Sequence, residues 1–168
     1  FVIWTTTPWT IPGNYAICVN PREQYVKVQM KEDGEIYILA RALADTVLGA
    51  DSYTVLASYV GTDLEGTTYE PLFRFVEPDK PCWYVTCADY VTLTDGTGVV
   101  HIAPAFGEDD AQVGRRYDLP FVQLVDAKGQ MTAETLWPGV FCKDADKEVL
   151  QNLKERGLLF AAPLFEHS

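Results

Sequence analysis

The sequence predicts an α+β domain with a barrel-like, mostly antiparallel β-sheet core and about three peripheral helices. Three observations carry that expectation. Strand-like runs outnumber helical ones, and the strand–helix–strand alternation of a doubly wound sheet is missing. The 168 residues, 48% hydrophobic and 22% charged, suffice for a sizeable core and argue against disorder. The chain is therefore read as one domain over 1–168. It starts inside a strand pattern at Phe1 and stops at "LFEHS", as a domain excised from a larger protein would.

The elements follow in chain order. "FVIWTTT" is rich in β-formers and predicts a strand from Phe1 to Thr7, with Thr5 and Thr7 on one face and Trp4 and Thr6 on the other. Pro8 ends it, because proline has no N–H for a ladder. "YVKVQM" and "EIYIL" flank "KEDG", a hairpin with Gly34 in its turn. "ARALADTVLG" reads as a short helix stopped by Gly49. "YTVLASYV", "TTYEPLFRFV", "CWYVTCADYVTL" and "TGVVHIA" read as strands bounded by Gly, Pro or Asp. "GEDDAQVGRRYDL" reads as a helix, acidic in its first turn and carrying Arg115 and Arg116 in its last, which suits the macrodipole at both ends. The strand "FVQLV", the turn "DAKG", the helix "DADKEVLQNLKERG" and the strand "LLFAAPLF" complete the chain.

Charge and cysteine content exclude several function classes. Thirteen Lys and Arg against 24 Asp and Glu leave a net charge of −11, which opposes sequence-independent duplex binding and anionic membranes. No apolar run approaches the ~18 residues of a membrane span, and no signal-peptide pattern opens the chain. Cys18, Cys82, Cys87 and Cys142 have no zinc-type spacing, and the histidines, His101 and His167, lie far apart. No metal and no cofactor is expected. Scattered thiols without a secretory signal suit a reducing, cytoplasmic setting. A nucleophile elbow, a Walker loop and a dinucleotide fingerprint are all absent from the sequence.

The densest constellation is "DGTGVVHIAPAFGEDD", residues 95–110. A glycine-marked turn enters a strand bearing His101, Pro104 ends the strand, and Asp109 and Asp110 open a helix. Each residue also has a purely structural reading: acidic residues at a helix start act as caps, and a lone histidine is commonly a core or rim residue.

This stretch together with "WTTTPWTIPGN", about ninety residues earlier, resembles the editing domain of isoleucyl-tRNA synthetases, the connective-peptide insertion of class I synthetases. The resemblance covers essentially the whole chain. Thr7 before Pro8 and Trp9 after it favour the isoleucyl branch over the valyl and leucyl ones. Phe106 stands where the common bacterial pattern has a histidine, so no role for a second histidine carries over. The HIGH and KMSKS motifs of amino-acid activation are absent.

The resemblance implies hydrolysis of valyl-tRNA(Ile) after transfer, with pre-transfer editing as a further route, while isoleucyl-tRNA(Ile) is rejected. It gives Asp110 the substrate's α-ammonium, with Asp109 as the alternative ligand. His101 becomes the wall that excludes the larger side chain. Thr5, Thr6 and Thr7 become the polar groups that bind the terminal adenosine and place a water, and Trp9 a pocket-lining residue. It further implies the 3′ acceptor end of tRNA(Ile) and the rest of the synthetase in cis as partners, and a monomeric domain with no membrane association. Two alternatives are an editing domain of a valyl or leucyl enzyme and a non-catalytic module that docks the acceptor end.

Overall fold

The computed structural model describes residues 1–159 apart from Thr6 and Asp95. The elements are a 3-10 helix at Pro8–Gly13, then β1 (Ala16–Val19), β2 (Gln24–Met30), β3 (Ile36–Ala40), α1 (Arg41–Leu48), β4 (Tyr53–Val60) and α2 (Gly61–Leu64). After these come β5 (Tyr84–Cys87), β6 (Val99–Ile102), α3 (Glu108–Tyr117) and α4 (Ala145–Glu155). They fall into two compact units. The first takes Phe1–Thr5, Ala16–Tyr69 and Tyr84–His101; the second takes the described residues of Thr6–Tyr15, Glu70–Trp83 and Ile102–Ser168.

The first unit holds two three-stranded sheets. One has the order β5-β1-β6, with β1 and β5 parallel in the register Ala16↔Tyr84 to Val19↔Cys87. All four residues of β1 are buried, as befits a central strand. The other has the order β3-β2-β4 and is antiparallel throughout. Among the described residues, then, the sheets do not close into a barrel, because β3 and β4 remain edges of theirs, and the first sheet contains a parallel pair. The α+β class stands, in the form of two small sheets with α1 and α2. Their common core includes Ile17, Tyr25, Leu43, Leu64, Val85 and Val99.

The β2–β3 hairpin and α1 form as predicted. Gly34 takes φ 74° in the turn, and Gly49 takes φ 93° at the end of α1, conformations that glycine adopts without a Cβ penalty. Tyr25 ties both sheets together. Its hydroxyl donates to the Gly98 carbonyl at 2.6 Å and accepts the Asn20 N–H at 2.9 Å, and burial pushes its pKa up to about 12.

Several predicted strands are shorter or missing. Residues 1–5 make one isolated bridge, Trp4↔Val100, rather than a strand, and the Trp4 indole occupies the place a Cβ on Gly96 would need. "TTYEPLFRFV" makes only the bridge Thr68↔Tyr84 before Pro71 interrupts it. In the second unit its Phe73 and Phe75 stack on each other and pack edge-on to Trp137. "CWYVTCADYVTL" is a strand only over β5, because Trp83 turns to φ 59°. "FVQLV" contributes only Val125↔Met131. The predicted strand "LLFAAPLF" is not formed at Leu158 and Leu159, and its remainder lies outside the described residues.

The second unit contains the 3-10 helix, α3 and α4. Helices α1, α3 and α4 match the three predicted ones; α2 and the 3-10 helix were not foreseen. Ile11 of the 3-10 helix packs with Val149 and Leu153 of α4 and with Phe73. No helix among the described residues is long and apolar enough to cross a membrane.

Candidate functional site

In the second unit, the residues singled out from sequence sit on two short segments. The first is the 3-10 helix. Pro8 at its start and Pro12 within it have φ values preset for a tight turn. Thr7 is exposed and occupies the N-cap position; its carbonyl accepts the Thr10 N–H at 3.0 Å and the Thr10 hydroxyl at 2.8 Å. Trp9 is half-buried, and its backbone N–H donates to Asp146 Oδ1 at 2.9 Å. The helix ends at Asn14, whose carbonyl accepts the Trp83 indole N–H at 2.9 Å.

The second segment is the loop from Ala103 into α3. The Phe106 N–H donates to the Ala103 carbonyl, which turns the chain, and Pro104 lies against Gly114 of α3 where a larger residue would crowd it. Asp110, in the first turn of α3, reaches back so that its Oδ2 accepts the Ala103 N–H at 2.9 Å. This carboxylate is half-buried. Burial raises its pKa, the Ala103 hydrogen bond opposes that, and the neighbouring charge of Asp109 adds to it. Asp109 is exposed. Asp110 thus serves as the anchor of the loop.

An aromatic contact joins the two segments. The Trp9 and Phe106 rings meet edge-to-face with centroids 5.2 Å apart. Phe106 also lies over Gly13, where an added Cβ would come within 2.9 Å of its ring. The result is a frame in which Thr7, Trp9 and Asp110 are held by one 3-10 helix, one loop and one helix start. A carboxylate so placed, with one oxygen tied to a backbone N–H, keeps acceptor capacity on the other for a cationic group.

In the first unit, Thr5 is half-buried beside the Trp4 bridge, and His101 lies on β6, 5% exposed. Burial pushes the His101 pKa down to about 4, so the ring is neutral near pH 7. Thr6 lies outside the described residues.

Asp146 escaped the sequence reading. Its carboxylate is half-buried, with a pKa raised by burial and lowered in turn by the bond to Trp9. In sequence it is one acid among several in "DADKE", at the start of α4, and its partner is 137 residues away. No local pattern signals such a pair. Among the described residues, no three His, Cys, Asp or Glu side chains cluster as a metal site would require.

No family model matches the chain. Curated relatives match it along nearly its whole length. The isoleucine–tRNA ligase of Clostridium novyi is 50% identical over 166 residues, which are 98% of this chain and 16% of that protein. The isoleucine–tRNA ligase of Picrophilus torridus is 39% identical over 167 residues, 99% of this chain and 16% of that protein. The chain thus spans 16% of the length of these relatives. Among solved structures, GlLeuRS-CP1 superposes with a TM-score of 0.74 at 15% identity, covering 95% of this chain and 82% of that one. The P. knowlesi cytosolic leucyl-tRNA synthetase editing domain gives 0.70 at 16% identity, covering 90% and 80%. At such identities the likeness establishes the fold.

Proposed function

We propose, for a chain homologous over nearly all its length to a segment of isoleucine–tRNA ligases and folded as leucyl-tRNA synthetase editing domains are, that it edits mischarged tRNA. The reaction is hydrolysis of the ester in valyl-tRNA(Ile), with isoleucyl-tRNA(Ile) spared. The need for it is general, and isoleucyl enzymes are its standard illustration. An apolar pocket gains only ~1–3 kcal/mol from one methylene, too little to exclude valine at the activation step.

The observation that carries the reading is Asp110: a half-buried carboxylate at a helix start, with Oδ2 tied to Ala103. Its remaining acceptor capacity suits the α-ammonium of an aminoacyl group, and Asp109, exposed, is the weaker candidate. Thr5, Thr6 and Thr7 are assigned to the terminal adenosine and a water, and Trp9 to the pocket lining. No protein nucleophile is required, because an aminoacyl ester is already activated. Placement of water and of the vicinal ribose hydroxyl then dominates the rate.

His101 is assigned as the wall against the larger side chain. A neutral ring with a pKa near 4 is a weak base at pH 7, which favours a steric role over a general-base role. The partners proposed are the acceptor end of tRNA(Ile) and the rest of the synthetase in cis; the domain is proposed to be monomeric and cytoplasmic. Deacylation rates on valyl- and isoleucyl-tRNA(Ile), for this chain and for the full-length protein carrying it, test the reading. Hydrolysis of a different aminoacyl-tRNA would assign the domain to a sibling enzyme. No hydrolysis by either protein would leave only docking.

A further inference from the structure

We infer that Asp146 is a positioning residue for the editing reaction: from α4 it caps the 3-10 helix that presents Thr7 and Trp9. The inference rests on the editing reading above and adds to it a residue outside both sequence motifs.

The first N–H groups of any helix lack partners within it. In a helix that begins after threonine, the threonine hydroxyl is the usual acceptor. Thr7 makes no such side-chain cap here. The N–H of Trp9, second residue of the helix, goes instead to Asp146 Oδ1 at 2.9 Å, across 137 residues of sequence. The Thr7 hydroxyl lies 3.4 Å from the Thr10 hydroxyl instead of capping the helix, so the carboxylate on α4 supplies the cap.

The tie is local in its effect. The far half of the 3-10 helix is seated independently, through Ile11 against Val149 and Leu153. Trp9 has a second restraint in its edge-to-face contact with Phe106 at 5.2 Å. Phe106 in turn belongs to the Ala103–Gly107 loop that Asp110 anchors. Removing the Asp146 carboxylate therefore leaves the helix docked but frees its first residues, and with them the register between Thr7, Trp9 and the Asp110 loop. Misplacement by a fraction of an ångström at reacting groups is felt in the rate more than in binding.

Two variants of the full-length protein test this. In Asp146→Ala no acceptor remains; in Asp146→Asn the amide oxygen still accepts the Trp9 N–H. The expected result for Asp146→Ala is a roughly 10-fold fall in kcat for valyl-tRNA(Ile), with KM within about 3-fold of wild type. Hydrogen exchange at the Trp9 amide should accelerate. Asp146→Asn should restore kcat to within about 3-fold and keep the amide protected. A wild-type kcat in Asp146→Ala overturns the positioning role. So does an Asn variant as slow as the Ala variant when both melt like wild type. If wild-type protein hydrolyses no aminoacyl-tRNA, the editing reading falls, and the exchange arm alone then decides whether Asp146 holds the segment.

Discussion

The Asp110 carboxylate accepts the Ala103 N–H at 2.9 Å, so the residue assigned to the substrate's ammonium also pins the loop leading into its own helix. The proposed binding role and the scaffolding role thus fall on one side chain, and substitutions must be chosen to separate them. Asp110→Ala should lose most deacylation of valyl-tRNA(Ile), roughly 10- to 100-fold, as expected for loss of a charge-assisted contact of ~1.5–3 kcal/mol. It should also lose some stability through the orphaned Ala103 N–H. Asp110→Asn keeps an acceptor for Ala103 and should fold as wild type while remaining poorly active. Asp109→Ala should stay near wild type. A crippled Asp109→Ala beside an active Asp110→Ala would show that the two carboxylates have been interchanged.

The pH dependence of stability provides a second handle on Asp110. Its pKa in the folded state is raised, chiefly by burial. The fold therefore favours the protonated form. That contribution is complete below the ordinary aspartate range, ~3.9, and is lost as pH rises through the folded value. Urea unfolding of wild type and Asp110→Asn at pH 3 and pH 7 should show the Asn variant gaining relative stability with rising pH. A relative loss would contradict the burial argument.

His101 has the opposite sign. Its pKa is pushed down to about 4 by burial. Its contribution is complete above ~6.5 and lost as pH falls through the folded value, a loss on the order of 3 kcal/mol. Wild type should therefore weaken relative to His101→Gln between pH 6.5 and pH 4. Parallel stability curves over that window would mean that the imidazole is not buried in its neutral form.

Gly61 makes a sharper test of the first unit. A Cβ there would overlap the carbonyl of Asn20, a backbone group that cannot swing aside. Gly61→Ala should cost about 1–3 kcal/mol, visible in thermal or urea unfolding. A wild-type melting temperature would show that the approach of α2 to residue 20 is not tight.

The hairpin, α1, β4, α3 and α4 were legible because each is marked locally. Gly34 and Gly49 need positive φ, and α3 carries acids at its start and arginines at its end. Illegible elements depended on distant partners. Phe73 and Phe75 alternate as strand residues do, yet they answer to Trp137 rather than to a sheet. The β-branched run of residues 2–7 promised a strand, but its described part makes a single bridge. At the site, the motifs singled out Asp110, Trp9 and Thr7, whereas the Asp146 tie spans 137 residues and has no sequence signature. The Asp110 anchor is only seven residues long, but loop geometry decides it, not spacing.

Net charge gives a prediction about partners. At −11, the chain should repel the phosphate backbone, so the isolated domain should bind free tRNA weakly, with the parent enzyme supplying the basic contacts. A titration at physiological salt should give no submicromolar affinity. A submicromolar value would mean that a local basic surface outweighs the overall charge.

The measurement closest to the central claim compares deacylation of valyl- and isoleucyl-tRNA(Ile) by the full-length protein and its His101→Ala variant. Wild type should hydrolyse the valyl ester and spare the isoleucyl ester. The variant should keep substantial valyl hydrolysis and gain isoleucyl hydrolysis roughly 5- to 100-fold, since overlap of one methyl with a rigid wall costs on the order of 1–3 kcal/mol. A wild-type protein that leaves valyl-tRNA(Ile) intact would contradict the editing function. An isoleucyl ester untouched by the variant would contradict the assignment of His101 as the wall.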